Sequence, residues 1–233
     1  MAEPDAKPAE TAHQVGHRQR LRERFLKGGA DALPDYELLE LVLFRAMPRQ
    51  DVKPLAKQLI ATFGSFAEAL SADPERLAEV KGIGDAAIAE FKIIQAAALR
   101  LSQAQVLNRP AISSWSALLE YCNASMAYNK IEQFRILFLD RKNILIADEV
   151  QQRGTVDHTP VYPREIVKRA LGLNASSIIL VHNHPSGDPT PSQADIEMTR
   201  KIADSAKPLG ITIHDHLIIG KGQHASFRSL GLL

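Results

Sequence analysis

The 233-residue sequence contains a single cysteine, Cys122, so it can form neither an internal disulfide nor a zinc site built from cysteine ligands. A scarcity of cysteine is typical of proteins from a reducing compartment. No run approaches the ~18 consecutive apolar residues of a membrane-spanning helix. The first residues, MAEPDAKPAETAHQ, lack the apolar segment of a secretory signal. We therefore expect a cytoplasmic protein that does not associate with membranes.

The sequence also lacks an excess of charge of either sign, with 28 Lys and Arg residues against 27 Asp and Glu residues. A dedicated nucleic-acid-binding protein usually carries a basic surface, and this balance argues against one. Hydrophobic residues make up 45% of the chain, which is enough to bury the core of one large domain or two small ones.

Three regions differ in composition. Residues 1–16 are rich in Ala, Pro and Glu, and we predict a disordered tail. Residues 17–106 carry apolar residues at helical spacing and are predicted to form an all-helical domain. Residues 110–233 mix β-rich runs such as FRILFLD and SSIILV with amphipathic helices. The predicted fold class is α+β, with a helical N-terminal domain followed by a mixed sheet flanked by helices.

Within the helical region, the segment VKGIGDAAIAEF predicts a helix-hairpin-helix at about 77–100. Gly82 and Gly84 would leave backbone N–H groups free to hold a DNA phosphate at a helix N-terminus. Asp85 and Glu79 lie beside them and would repel a phosphate. The pattern is equally compatible with a structural hairpin or a protein-docking surface, so we expect at most weak DNA contact.

The most informative segment is HNHPSGDPTPSQAD, which begins at His182. His182 and His184 follow a buried strand and, as residues i and i+2, point to one face. Pro and Gly residues then turn the chain, and a helix starting near Ser192 places Asp195 in its first turn. Two imidazoles, one carboxylate and an open fourth position describe a catalytic zinc site.

Two simpler interpretations each explain half of this segment. Ser192-x-x-Asp195 has the spacing of a capping box, in which the two side chains stabilise the start of a helix. The paired histidines could belong to a polar loop. Neither interpretation accounts for the histidines and the aspartate together.

The spacing His-x-His-Pro, six residues, Ser, two residues, Asp matches the JAMM motif of MPN-domain metalloproteases, and here it is complete. The wording HNHPSGDPTPS, with YPREIVKRAL before it and DHLIIG after it, resembles the bacterial RadC family, of the UPF0758 type. The resemblance covers essentially the whole chain. It implies an MPN (JAMM) domain over 110–233 that hydrolyses amide or isopeptide bonds in an unknown protein or peptide substrate.

The resemblance also implies roles for individual residues. A zinc ion would bind to His182, His184 and Asp195, and Ser192 would donate a hydrogen bond to the developing oxyanion. JAMM enzymes use an upstream glutamate as the general base, and Glu132, just before the first strand, is the candidate. Glu149 and Glu165 are the other candidates for this base.

His214, Asp215 and His216 lie on the last predicted strand, ITIHDHLIIG. Simple alternation places His214 and His216 on one face and Asp215 on the other. Asp215 or His216 could orient one of the ligand imidazoles through a hydrogen bond. A buried hydrogen-bonded pair without a catalytic task is the alternative.

Three other functions compete with the zinc hydrolase. A metal-dependent nuclease of the His-Asn-His type requires a site spread over a ββα unit, whereas here both histidines lie in one strand. A zinc nucleobase deaminase needs two cysteine ligands, and Cys122 is alone. The third is a DNA-associated accessory protein of repair or recombination whose MPN domain serves as a binding scaffold.

Overall fold

The computed structural model describes residues 16–111, 113–153 and 162–233. All of the expected disordered tail except Gly16 lies outside the described residues. The chain divides into two compact units at Ala96/Ala97, within the long helix α6 (Asp85–Val106). This division precedes the boundary expected at 106–110, because Leu99 and Val106 of α6 belong to the core of the second unit.

The described part of the first unit is helical, as its apolar spacing predicts. Helices α2 (Asp35–Ala46) and α3 (Lys53–Phe63) supply much of one core, in which Leu39, Leu43 and Leu59 are fully buried. The expected helix-hairpin-helix consists of the short helix α5 (Pro74–Ala78), a turn in which Gly82 has a φ of 98°, and α6. Before α6, the helices are α1 (His17–Gly28), a 3-10 turn (Ala30–Ala32), α2 (Asp35–Ala46), α3 (Lys53–Phe63), α4 (Phe66–Ser71) and α5 (Pro74–Ala78).

The second unit is built around a mixed sheet. Its described strands are β1 (Gln133–Leu139), β2 (Leu145–Arg153), β3 (Ser177–Asn183), β4 (Thr212–Ile219) and β5 (His224–Ser226). They are ordered β2-β1-β3-β4-β5, and β3 and β4 are parallel whereas the other neighbours are antiparallel. The sequence did not predict β5, since its three polar or small residues carry no apolar alternation.

Helices cover both faces of this sheet. Helix α7 (Trp115–Met126) packs on one face, against Leu137, Val181 and Leu217 among others. Helices α8 (Pro163–Gly172) and α9 (Gln193–Ala206) pack on the other face, around Phe138 and Leu180. The α+β fold class predicted from the sequence is confirmed. None of the helices in the described ranges is long and apolar enough to cross a membrane.

The connection from β3 through α9 to β4 positions the site. Strand β3 is the central strand and all seven of its residues are buried. Parallel strands require a crossover connection, so the chain leaves the carboxyl end of β3, turns, and returns along α9. The end of β3 and the start of α9 therefore lie side by side at the carboxyl end of the parallel strands.

Candidate metal centre

The end of β3 brings His182 and His184 together. Their Nε2 atoms are 3.0 Å apart, and the ring centroids are 4.9 Å apart. His182 is fully buried, whereas the side chain of His184 is 20% exposed. The two imidazoles therefore converge, as i and i+2 residues of one strand should, and His184 leaves the centre open to solvent.

The start of α9 adds a carboxylate to this pair. Asp195 Oδ1 lies 3.2 Å from His182 Nε2, and Asp195 Oδ2 lies 3.5 Å from His184 Nε2. Each of the three side chains offers one ligand atom, and these atoms lie within 4.8 Å of one another. Among the described residues, this is the group of His, Cys, Asp and Glu side chains with the geometry to hold a metal ion.

Asp195 is held in place by the capping box that its spacing predicts. Ser192 donates its backbone N–H and its hydroxyl to Asp195 Oδ2, at 2.8 and 2.6 Å. The Asp195 N–H in turn points to Ser192 Oγ at 3.2 Å. The capping interpretation and the metal interpretation are thus compatible, because Oδ2 faces the helix cap while Oδ1 faces His182.

Hydrogen bonds on the far side of each imidazole determine which nitrogen carries the proton. His184 Nδ1 lies 2.8 Å from the carbonyl oxygen of Asp188, which can only accept a hydrogen bond. His184 Nδ1 therefore carries the proton when the ring is neutral. Its Nε2 then presents a lone pair to the centre.

A longer chain of hydrogen bonds fixes His182. Thr199 Oγ1 lies 2.6 Å from the carbonyl oxygen of Asp195, so its hydroxyl proton is donated there. The same oxygen lies 2.6 Å from His216 Nδ1 and must accept from it. Burial holds the pKa of His216 well below its ordinary value, so this ring is neutral and its Nε2 is a lone pair. His182 Nδ1, 2.8 Å away, donates to that lone pair, so His182 Nε2 is the lone-pair nitrogen when the ring is neutral.

Three electron-rich atoms therefore face one another at the centre. Burial acts to raise the pKa of Asp195, but contacts with His182, His184 and Ser192 outweigh it and hold that pKa well below its usual range. The Asp195 contact also raises the pKa of His184, against the effect of burial. Without a cation, a proton must lie between these groups. A cation that takes its place satisfies all three side chains, which is the donor set of two imidazoles and one carboxylate that zinc accepts.

Glu132 immediately precedes β1 and is half-buried. After the larger contribution of Asp195, its charge is one of the causes that raise the pKa of His184. Glu132 therefore acts on His184 through its charge, and its role as the base stays a prediction. The two other candidates for the base are engaged elsewhere, since Glu149 forms a bidentate pair with Arg169 and Glu165 pairs with Arg164.

The strand alternation assumed for His214 and His216 is wrong. The β3–β4 register shifts by one residue, so that Ile178 pairs with Ile213 but Ile179 pairs with Asp215. This β-bulge turns His214 to the α7 face, where its ring lies 6.1 Å from that of Trp115. His216 faces the opposite side, against His182.

The two residues proposed to orient a ligand differ in what they contact. His216 is hydrogen-bonded to His182, as described above. Asp215 accepts from the backbone N–H groups of His216 and Arg228 and from the hydroxyl of Ser226, at 2.7, 3.0 and 2.6 Å. Asp215 therefore holds the C-terminal segment against β4 rather than contacting a ligand imidazole.

The loop between His184 and Ser192 depends on a close backbone approach. A Cβ atom at Gly220 would lie 2.2 Å from the carbonyl oxygen of Gly187, so the position admits only glycine. Gly187 has a φ of 92° and accepts a hydrogen bond from Lys221 N at 3.2 Å. This contact fixes the loop that carries the Asp188 carbonyl oxygen to His184.

Sequence reasoning did not identify Thr199, although it completes the hydrogen-bond chain to His182. The available signal was its position four residues after Asp195, which places both side chains on the same face of α9. The glycines of the hairpin turn, Gly82 and Gly84, lie in the first unit and not at this centre.

A mixed sheet between helices, with a His-x-His strand end opposite an Asp-bearing helix start, defines an α+β domain of the MPN or JAB type. The family described as "RadC-like JAB domain" matches residues 112–232, and the family described as "UPF0758 N-terminal" matches residues 13–89. The chain belongs to the RadC family, and the resemblance noted in its sequence is confirmed.

Two relatives illustrate how closely the family matches. A "UPF0758 protein" of Rhodobacter capsulatus is 67% identical over 213 residues, which is 91% of this chain and 100% of the relative. A UPF0758 protein of Ruegeria pomeroyi is 65% identical over 217 residues, 93% of this chain and 97% of the relative. The similarity therefore extends over both units.

Proposed function

We propose that this chain is a zinc-dependent hydrolase of amide or isopeptide bonds, of the JAMM metallopeptidase type. The observation that carries the proposal is the convergence of His182 Nε2, His184 Nε2 and an Asp195 carboxylate oxygen within 4.8 Å of one another. The hydrogen bonds behind both imidazoles favour the unprotonated Nε2 that a metal requires.

The donor set favours zinc, since two imidazoles and one carboxylate are the ligands of several catalytic zinc sites. When bound, zinc supplies a Lewis acid and makes hydroxide available near neutral pH. The partial exposure of His184 gives a substrate access to this side of the cluster.

The remaining chemistry falls to two side chains. Glu132 takes the proton of the attacking water on its carboxylate and delivers it to the leaving amine, which requires one carboxylate beside the reacting atoms. Ser192 is suited to donate its hydroxyl to the developing oxyanion. In the structure this hydroxyl points to Asp195 Oδ2, so it must turn from Asp195 toward the substrate.

The first test is elemental analysis of the purified protein and of four variants. We expect near-stoichiometric zinc in the wild type, loss of zinc in His182→Ala and Asp195→Ala, and retention of zinc in Glu132→Gln. Asp195→Asn is the matched control for folding, because its amide oxygen can still accept from Ser192 N and cap α9 while the charge is lost. A wild type that holds no zinc after reconstitution would overturn the proposal.

The second test is hydrolysis of a quenched fluorescent library of peptide and isopeptide-linked substrates. Glu132→Gln should lose ~10²–10⁴-fold in rate, the contribution typical of a general base, while keeping its zinc. Cleavage at the wild-type rate by this variant would remove Glu132 from the mechanism.

A second candidate function is DNA contact by the hairpin turn of the first unit. It is favoured by Gly82, whose positive φ shapes the turn, and by the position of Gly84 directly before α6. The test is binding of a labelled DNA duplex by wild type and Lys81→Glu at increasing salt, because phosphate contacts weaken steeply as salt rises. Absence of binding at low salt would exclude this function.

A further inference from the structure

Asn183 lies between the two proposed histidine ligands, at the end of β3. It is fully buried, and strand alternation turns its side chain away from the three proposed metal ligands. A buried carboxamide must satisfy its hydrogen-bonding groups within the protein. The partners of Asn183 therefore reveal what it does.

All described side-chain hydrogen bonds of Asn183 go to residues 129–133, the segment that leads into β1 and includes its first residue. Its Oδ1 accepts from Gln133 N at 2.9 Å. Its Nδ2 donates to the carbonyl oxygens of Asn129 and Ile131, at 3.2 and 3.4 Å. The backbone pairing of β1 with β3 ends at Phe134 and His182, so the Asn183 side chain continues the pairing where the backbone ladder stops.

These hydrogen bonds enclose Glu132. The Ile131 carbonyl belongs to the peptide group before Glu132, and the Gln133 N–H belongs to the peptide group after it. Fixing both peptide groups fixes the direction in which the Glu132 side chain leaves the backbone. Because Asn183 is also covalently between His182 and His184, the metal ligands and Glu132 are linked through one side chain.

We propose that Asn183 is a positioning residue that holds Glu132 in register with the metal centre. The inference rests on the proposed function, since it assigns a purpose to Asn183 only if Glu132 acts there. The chemistry requires a carboxamide, which presents an acceptor to Gln133 and donors to two carbonyl oxygens at once. An aspartate at this position would present oxygen to oxygen, and a serine would be too short to reach both sides.

The test needs no substrate, because the protein can be loaded with cobalt(II), whose visible absorption reports its coordination. The variants are Glu132→Gln, Asn183→Ala and Asn183→Leu. Asn183→Leu removes every polar group at similar volume, whereas Asn183→Ala leaves space in which water can replace them if the leucine variant does not fold. Asn129→Ala is the matched control, because only the backbone of Asn129 contacts Asn183, while its side chain bonds Ser125 O.

Two readouts separate positioning from a general structural role. Hydrogen exchange of the Gln133 amide should accelerate in both Asn183 variants and stay at the wild-type rate in Asn129→Ala. The pH midpoint of the cobalt spectrum should fall in Glu132→Gln, because a nearby carboxylate disfavours ionisation of water at the metal. It should fall in the same direction in both Asn183 variants, with cobalt affinity within a few-fold of wild type.

Each other outcome overturns the inference in a distinct way. Unchanged exchange at Gln133 would mean that the hydrogen bonds do not hold the segment. A loss of cobalt affinity of more than ~10-fold, the size of a ligand-orienting effect, would mean that Asn183 supports the ligand strand instead. A midpoint that moves in Glu132→Gln but not in the Asn183 variants refutes the positioning role alone. A midpoint unmoved by Glu132→Gln removes the base from the proposed function, and the inference with it.

Discussion

Replacing Thr199 with valine should weaken zinc binding although Thr199 contacts no proposed ligand atom that faces the metal. The hydroxyl of Thr199 accepts from His216 Nδ1 and thereby selects the His216 tautomer whose Nε2 accepts from His182. Valine has a similar shape and no hydroxyl. The opposite tautomer, in which His216 Nε2 donates to His182 Nδ1, then competes and leaves a proton on His182 Nε2, where the metal should bind.

The size of the effect follows from the hydrogen bond that is lost. Leaving a buried neutral donor unsatisfied costs about 1–3 kcal/mol, and His216 is fully buried. That cost falls on the metal-competent tautomer, so zinc affinity should decrease ~10-fold, since each 1.4 kcal/mol corresponds to a factor of ten. The free energy of unfolding should fall by about 1 kcal/mol.

The assay is competition between the protein and a chromophoric zinc chelator at neutral pH. Thr199→Ser is the matched control, because it retains the hydroxyl and should bind zinc like the wild type. If Thr199→Val, Thr199→Ser and wild type all bind zinc equally, the hydrogen-bond chain does not select the tautomer and the reasoning is refuted.

Three further predictions concern the loop, the pH and the thiol. Gly220→Ala should displace the loop at Gly187 and lower zinc affinity by ~10-fold or more. Gly172→Ala is the control and should keep the wild-type affinity, because no atom lies within 4 Å of its new Cβ. Equal zinc affinities of the two variants in the chelator assay would contradict the role of the loop. Because its contact with Asp195 raises the pKa of His184, protons compete with the metal below that pKa. Below the pKa of His184, apparent zinc affinity should fall ~10-fold for each pH unit if zinc displaces one proton. An affinity that does not change with pH in this range would contradict this competition. Burial raises the pKa of Cys122 to about 12, so its thiol should resist a thiol reagent at pH 8 until the protein is unfolded in guanidinium; rapid labelling of the native protein would argue against its burial.

The parts of the site that the sequence predicted are those governed by local geometry. His182 and His184 are two residues apart in a strand, and Asp195 is three residues after a helix cap. Each relation follows from the periodicity of a single element. Only the path of the turn that connects the strand to the helix is not predicted by periodicity. The position of Glu132 came from the family resemblance, because nothing near it in sequence relates it to the histidines.

The parts that escaped prediction depend on distant pairings or on irregular backbone. Thr199 and His216 meet across 17 residues, and Asn183 and Gln133 across 50, so no periodic pattern reveals them. The orientation of His214 was wrong because a single inserted residue in β4 reverses the alternation. Bulges of this kind leave no distinctive trace in composition.

The order of the chain gives the metal centre an order of assembly. His182, His184 and Asp195 fall within one strand, one loop and one helical turn, whereas His216 follows His182 by 34 positions. Translation therefore adds all three donor groups to the chain before it adds the residue that sets the proton on His182. The ligand set is thus local in sequence, whereas the tautomer of His182 depends on a residue that reaches it only when β4 pairs with β3, so complete pairing of these two strands is a condition for a metal-competent site.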